Sequence, residues 1–228
     1  MPAVVTAPAR QTLKTISGEV VEVHRILCVG KNYADHVAEM GGDPKADPPL
    51  FFDKPPSCVV QSGATIPYPP NTSDLHFEAE LVLVIGTGGA EIEEASALDH
   101  VYGYAVGNDL TRRDLQGLAK GSGTPWCMAK GFDNSAVIGA VTPVAQVGHP
   151  TTGAITCHVD GAMKQDGDLS QMIWSVPEII ATLSRTVTLQ PGDVIMTGTP
   201  AGVGPLQRGE TCVCAVEGLG EAVVTIAA

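Results

Sequence analysis

Positive charge is scarce in this chain. Thirteen lysines and arginines stand against 25 aspartates and glutamates, a formal net charge of −12 at pH 7 over 228 residues. So acidic a surface is a poor partner for nucleic acid or for an anionic membrane face. A small anionic substrate would need positive charge concentrated locally, from a metal ion or a few arginines. Long apolar runs are also missing, and none approaches the roughly 20 residues of a membrane-spanning helix. The opening MPAVVTAPARQTLK lacks the basic stretch and apolar core of a secretory signal, so a cytoplasmic protein is expected. None of the six cysteines belongs to a Cys-x-x-Cys pair, and reduced, half-buried thiols are expected. Cys212 and Cys214 are two residues apart in a strand-like stretch, which points both to one face. No internal repeat and no low-complexity block is present. The glycines of TGTPAGVGP (197–205) are not followed by Gly-Lys-Ser/Thr, so they read as a tight turn near a site and not as a phosphate loop.

Glycine (26) and proline (17) are plentiful and spread out, as turns between many short strands require. Strands are expected at 25–30, 77–86, 102–109, 193–198 and 211–227, with a hairpin at 154–167 turning on Asp160-Gly161. Short helices are expected at 32–40, 94–101, 111–120 and 175–185. Thr111 with Asp114, and Ser175 with Glu178, have the spacing of a capping box. Strands dominate and regular βα alternation is absent, which predicts an α+β fold, mainly β, on mixed sheets. One domain over 25–228, preceded by an N-terminal extension over 1–24, is the simplest organisation.

The stretch LHFEAELVLVIG (75–86) poses a physical problem. Side chains alternate along a strand, so His76, Glu78 and Glu80 share one face, and Phe77, Ala79 and Leu81 the other. The continuation is apolar on both faces, which predicts that both are covered. Two ionised carboxylates about 7 Å apart in such a place cost several kcal/mol unless something offsets them. A solvated face is one solution. A hard divalent cation is another, since Mg²⁺ takes a few carboxylates plus waters and substrate oxygens. Asp109, at the end of YGYAVGND, is a candidate third acid, although it also suits a turn or an N-cap.

Three further groups carry chemistry. His36 and Glu39 in HVAE are three apart on a helix and so share a face, where the carboxylate could orient the imidazole as a general base or simply form a surface ion pair. Gly41-Gly42 would then let this short helix move as part of a lid over 40–50. In TRRDLQ, Arg112 or Arg113 near a helix start could grip a substrate carboxylate, with Gln116 one turn on. Lys130 in PWCMAKGFD has an apolar setting that demands a partner, if only a buried salt bridge.

Taken in order, CVGKNYADHVAEM, LHFEAELVLVIG, GYAVGNDLTRRDLQ, PWCMAKGFDNS and GDVIMTGTPAGVGPL resemble the fumarylacetoacetate hydrolase family, from about residue 25 to the end of the chain. Length and the stretches IPYPPNTSDLH and WSVPEIIATLSR are most similar to its fumarylpyruvate and other acylpyruvate hydrolases. The resemblance implies a mixed β-sandwich roll, a homodimer, and Mg²⁺ or Mn²⁺ held by Glu78, Glu80 and Asp109. It implies a water-activating His36–Glu39 pair, a catalytic Lys130, and substrate contacts at Arg113, Gln116 and Thr199. Many relatives read His-His-Glu-x-Glu where this chain has Phe77 in the second place. The activity implied is cleavage of a 2,4-diketo acid, fumarylpyruvate to fumarate and pyruvate, in the breakdown of aromatic compounds. An oxaloacetate decarboxylase or isomerase using the same enolate chemistry is the alternative. A metal-stabilised binding module without catalysis would be expected to lack the His–Glu pair or the lysine.

Overall fold

The computed structural model describes residue 5, residues 8–34 and residues 48–228. Chain order begins with β1 (Thr12–Lys14), β2 (Val20–Glu22), β3 (Arg25–Gly30), β4 (Leu50–Lys54), β5 (Val59–Gln61) and β6 (Ala64–Ile66). It continues with β7 (Leu75–Phe77), β8 (Ala79–Ile85), β9 (Val101–Asp109), β10 (Thr111–Arg112), β11 (Ala136–Ile138) and β12 (Thr142–Pro143). It ends with β13 (Ala154–Val159), β14 (Ala162–Asp168), β15 (Asp193–Met196), β16 (Gly204–Pro205), β17 (Thr211–Val216) and β18 (Gly220–Ile226). The helices are α1 (Arg113–Ser122), α2 (Cys127–Lys130), α3 (Val144–Val147) and α4 (Val176–Thr186).

Two mixed sheets face each other. The larger runs β4-β3-β15-β8-β9-β11-β5, with β12 beside β9, and the smaller runs β14-β13-β17-β18-β6. Parallel pairs (β15 with β3, β11 with β5, β18 with β6) mix with antiparallel ones in both. Strand β8 shows why the fold closes this way. All seven of its residues are buried. Ala79, Leu81, Leu83 and Ile85 pack into the core between the sheets, with Ile155, Cys157 and Val224. Val82 and Val84 pack into a second cluster on the opposite face, with Leu13, Val23, Ile26 and Met196. Each such side chain contributes about 1.5–3 kcal/mol by leaving water. The two-sided cover expected of this strand is therefore present, and the α+β, mainly β roll stands.

Local signals place several elements. The hairpin between β13 and β14 turns on Asp160 (φ 48°) and Gly161 (φ 79°), the left-handed pair that a two-residue hairpin turn requires. The capping box of α4 forms as expected, with Ser175 N–H donating to Glu178 Oε2 at 2.7 Å. It turns Ile179, Ile180 and Leu183 into the core. The other proposed capping box does not form. Thr111 pairs with His76 across β10 and β7, and its hydroxyl donates to the Asp109 carbonyl. The helix starts two residues later than expected, at Arg113. Asp114 instead accepts from Thr72 Oγ1 at 2.6 Å and Ser73 N at 3.0 Å. Tertiary pairing has taken the residue that local spacing reserved for the cap.

Two further expectations are corrected. The helix expected at 94–101 is a 3₁₀ turn, Glu94–His100, packed on α4. The strand expected at 77–86 is split at Glu78, with Leu75–Phe77 joining a small three-stranded sheet with β10 and β16. At the break, Glu78 N–H donates to Asn108 Oδ1 at 3.0 Å, and its carbonyl accepts from Asp109 N at 2.9 Å. The thiols are free as expected but more buried: only Cys127 is exposed. Among the described residues no helix is long and apolar enough to cross a membrane.

Candidate metal centre

Glu78, Glu80 and Asp109 meet at one end of the large sheet. Glu80 lies on β8, Asp109 ends the neighbouring β9, and Glu78 occupies the break before β8. All three are buried, and one carboxylate oxygen from each lies within 4.8 Å of the others. Phe77 points the other way, into the core between the sheets. The spacing argument for two acids on one face and an aromatic on the other thus holds through the strand break.

Cations surround two of the acids. Lys130, on α2 and 2% exposed, donates to Glu78 Oε2 at 2.7 Å and to Asp109 Oδ2 at 2.6 Å. Burial pulls its pKa down, but the charges of Asp109 and Glu78 outweigh burial and leave it above an ordinary lysine. Arg113 donates to Glu78 Oε1 at 2.5 Å and to Gln116 Oε1. Arg112 turns elsewhere, donating to the Met128 carbonyl and stacking 4.4 Å from the Phe132 ring centre.

Glu80 is different. Among the described residues no ion pair reaches it, and Gly198 N–H donates to its Oε2 at 2.8 Å. Burial, then the charges of Asp109 and Glu78, push its pKa well above the usual carboxylate range. A buried acid with no ion pair among the described residues, beside two more carboxylates, fits a hard divalent cation, which takes oxygen donors of this kind. Gly198 can present its N–H because it adopts φ 96°, and a Cβ there would sit 2.8 Å from Asn32 Cβ.

Gln116 and Thr199 line one pocket with Glu78, Glu80, Lys130 and the rings of Phe52 and Trp126. Thr199 is positioned by Gln165, whose Nε2 donates to its Oγ1 at 2.8 Å. The structure therefore gathers Glu78, Glu80, Asp109, Lys130, Arg113, Gln116 and Thr199 around one cleft. His36 and Glu39 lie outside the described residues, as does most of the expected lid.

Three supporting residues escaped the sequence reading. Lys54, 1% exposed, lies 2.7 Å from Asp109 Oδ1. Its ammonium also donates to the carbonyls of Leu110, Lys130 and Ser135. Asn32 ties three segments together, donating to the Trp174 and Thr197 carbonyls and accepting from Trp174 N. Asn108 holds Glu78 from behind. Lys54 follows two phenylalanines in LFFDK, and a lysine in so apolar a stretch was the available signal. The two asparagines offered none.

Known proteins share this architecture. The family model "Fumarylacetoacetate (FAA) hydrolase C-terminal" matches residues 25–227. The chain is 44% identical over 184 residues to the fumarylpyruvate hydrolase of Ralstonia sp, covering 81% of this chain and 95% of that protein. It is 43% identical over 197 residues to the mitochondrial oxaloacetate tautomerase FAHD1 of Arabidopsis thaliana, covering 86% and 88%. The crystal structure of fumarylpyruvate hydrolase from Pseudomonas aeruginosa in complex with Mn²⁺ and pyruvate superposes with a TM-score of 0.96, at 46% identity over 99% of both chains. With its full-length fold and its triad of buried acids, this chain belongs to the fumarylacetoacetate hydrolase family.

Proposed function

We propose that the protein is a divalent-metal-dependent hydrolase of 2,4-diketo acids, acting on fumarylpyruvate to release fumarate and pyruvate. The observation that carries this reading is the buried Glu78–Glu80–Asp109 triad opening on a pocket lined by Lys130, Gln116 and Thr199. The likeness to a fumarylpyruvate hydrolase crystallised with Mn²⁺ and pyruvate supports it.

Glu78, Glu80 and Asp109 would hold Mg²⁺ or Mn²⁺. When bound, such an ion is a Lewis acid that steadies charge developing on the 2-oxo acid half of the substrate, worth several kcal/mol. His36, oriented by Glu39, takes a proton from water as that water adds to the C4 carbonyl. This role rests on the His-x-x-Glu pattern together with the family resemblance. The C3–C4 bond then breaks, and its electron pair moves to the C2 oxygen, so that pyruvate leaves as its enolate. Lys130, which lines the pocket as Lys31 does, steadies the oxygen that gains charge. Gln116 and Thr199 orient the substrate. Arg113, bonded to Glu78 and Gln116, fixes both. The reading includes a cytoplasmic location and a homodimer, the second of which light scattering of the purified protein checks.

The similarity to family members acting on oxaloacetate, a tautomerase and a decarboxylase among them, favours a second reading, in which oxaloacetate loses its C4 carboxyl group as CO₂ and leaves the pyruvate enolate without an attacking water. The deciding experiment is a substrate panel on metal-stripped protein, with and without Mg²⁺ or Mn²⁺. It holds fumarylpyruvate, maleylpyruvate, acetylpyruvate, fumarylacetoacetate and oxaloacetate. Metal-dependent release of fumarate plus pyruvate, lost in His36→Ala, supports the hydrolase. Turnover of oxaloacetate alone sinks the hydrolytic reading and leaves the enolate chemistry standing.

A further inference from the structure

Three cysteines that this chemistry does not use meet on the inner face of the smaller sheet. Cys157 lies on β13, and Cys212 and Cys214 are alternate residues of β17. Cys157 and Cys214 are register partners across the two strands. All three are fully buried, and their Sγ atoms lie within 4.8 Å of one another. Cys212 Sγ is 3.4 Å from Cys157 Sγ and 4.0 Å from Cys214 Sγ. The Asn108 amide also donates to Cys212 Sγ, at 3.3 Å.

Cys212 Sγ thus touches both other sulfurs and receives the Asn108 N–H, which makes it the sulfur best placed to be held as a thiolate. Thiolate sulfur is a soft donor that selects soft ions over the hard ions carboxylates prefer. Three sulfurs placed trigonally around one ion, with bonds of about 2.3 Å, lie about 4 Å apart. The Cys212–Cys214 separation of 4.0 Å already matches, and the Cys157–Cys212 separation would open from 3.4 Å to about that value. Among the described residues no histidine or carboxylate joins the cluster, so the four-ligand tetrahedron of structural zinc has no fourth corner. One thiolate and two neutral thiols balance one monovalent charge, which matters where solvent is excluded.

We propose that Cys157, Cys212 and Cys214 form a second ion site, for a soft monovalent ion of the copper(I) type, separated from the hard carboxylate site by Asn108.

The test uses full-length protein with Mn²⁺ present, in a Cys127→Ser background that removes the exposed thiol. Copper(I) is supplied without oxygen, buffered by a competing chelator, during refolding so that the closed core can load. The expected result is one equivalent of copper retained through gel filtration, a near-ultraviolet thiolate-to-copper band and a raised thermal midpoint. Cys212→Ser should retain no copper and still bind Mn²⁺. Should that variant fail to fold, Cys157→Ala and Cys214→Ala each serve in its place, and each should weaken copper retention several-fold. Loss of copper from the parent on filtration, or equal retention by the variants, overturns the site. Zinc retained in preference to copper overturns the monovalent assignment.

Discussion

Lys54 Nζ lies 2.7 Å from Asp109 Oδ1, while Lys130 Nζ takes the other oxygen of the same carboxylate at 2.6 Å. Lys54 also binds the carbonyls of Leu110, Lys130 and Ser135. One buried ammonium therefore couples the acid at the end of β9 to the turn that carries Lys130. Replacing it by Lys54→Met keeps the stem and removes the charge, leaving a buried carboxylate oxygen and several carbonyls without their partner. Urea denaturation should show a loss of about 3–5 kcal/mol, and Mn²⁺ titration a weaker site. A loss below about 1 kcal/mol would mean that this ammonium is not what holds Asp109.

Glu80 supplies a pH signature. Its carboxyl is raised by burial first, then by Asp109 and Glu78. A raised carboxyl binds its proton more tightly folded than unfolded. Metal-free protein should therefore lose stability as pH climbs from the ordinary glutamate range toward Glu80's own value. A divalent ion takes the ionised form, so its binding releases that proton. Calorimetry with Mn²⁺ in buffers of different ionisation heat should show proton release, and affinity that rises with pH across this window. Glu80→Gln should abolish both. Affinity indifferent to pH would contradict the protonated state.

Gly198 faces a double constraint. Its φ of 96° is costly for any residue with a Cβ, and the added carbon would meet Asn32 Cβ at 2.8 Å and the Val29 carbonyl oxygen at 3.1 Å. Gly198→Ala should destabilise the fold by about 1–3 kcal/mol. It should also weaken Mn²⁺ binding, because the N–H that holds Glu80 Oε2 moves with the turn. Thermal unfolding and Mn²⁺ titration of the variant check the two effects separately.

Phe77 tests the division of faces on the acid-bearing segment. It is 1% exposed and packs into the core between the sheets, away from the carboxylates. Phe77→Ala should cost about 3–5 kcal/mol of stability, with Mn²⁺ affinity unchanged. An equal loss in affinity would place this side chain in support of the metal site.

Much was legible before any coordinates. The alternation of FEAELVLV set Glu78 and Glu80 against Phe77 and Leu81 because a pleated strand leaves no other choice. The Asp160-Gly161 turn and the Ser175–Glu178 cap were readable because the forces that make them act within four residues. Thr111 shows where that stops. Its local signal favoured a helix cap, but β7 offered it a strand partner 35 residues away in sequence, and the pairing with His76 prevailed.

The sequence by itself nominated the members of the candidate site: three acids, the His36–Glu39 pair, Lys130, and the polar residues of the TRRDLQ and TGTP stretches. Only the tertiary structure decided how those charges are shared. Lys130 and Arg113 neutralise Glu78, Lys54 and Lys130 grip Asp109, and among the described residues Glu80 receives a backbone N–H and no ion pair. It also decided that Asn108 would touch both Glu78 and Cys212. Electrostatic partners inside a protein are chosen by distance through the fold. Hydrophobic patterning places strands on a face, but it says nothing about which distant side chain will arrive beside them.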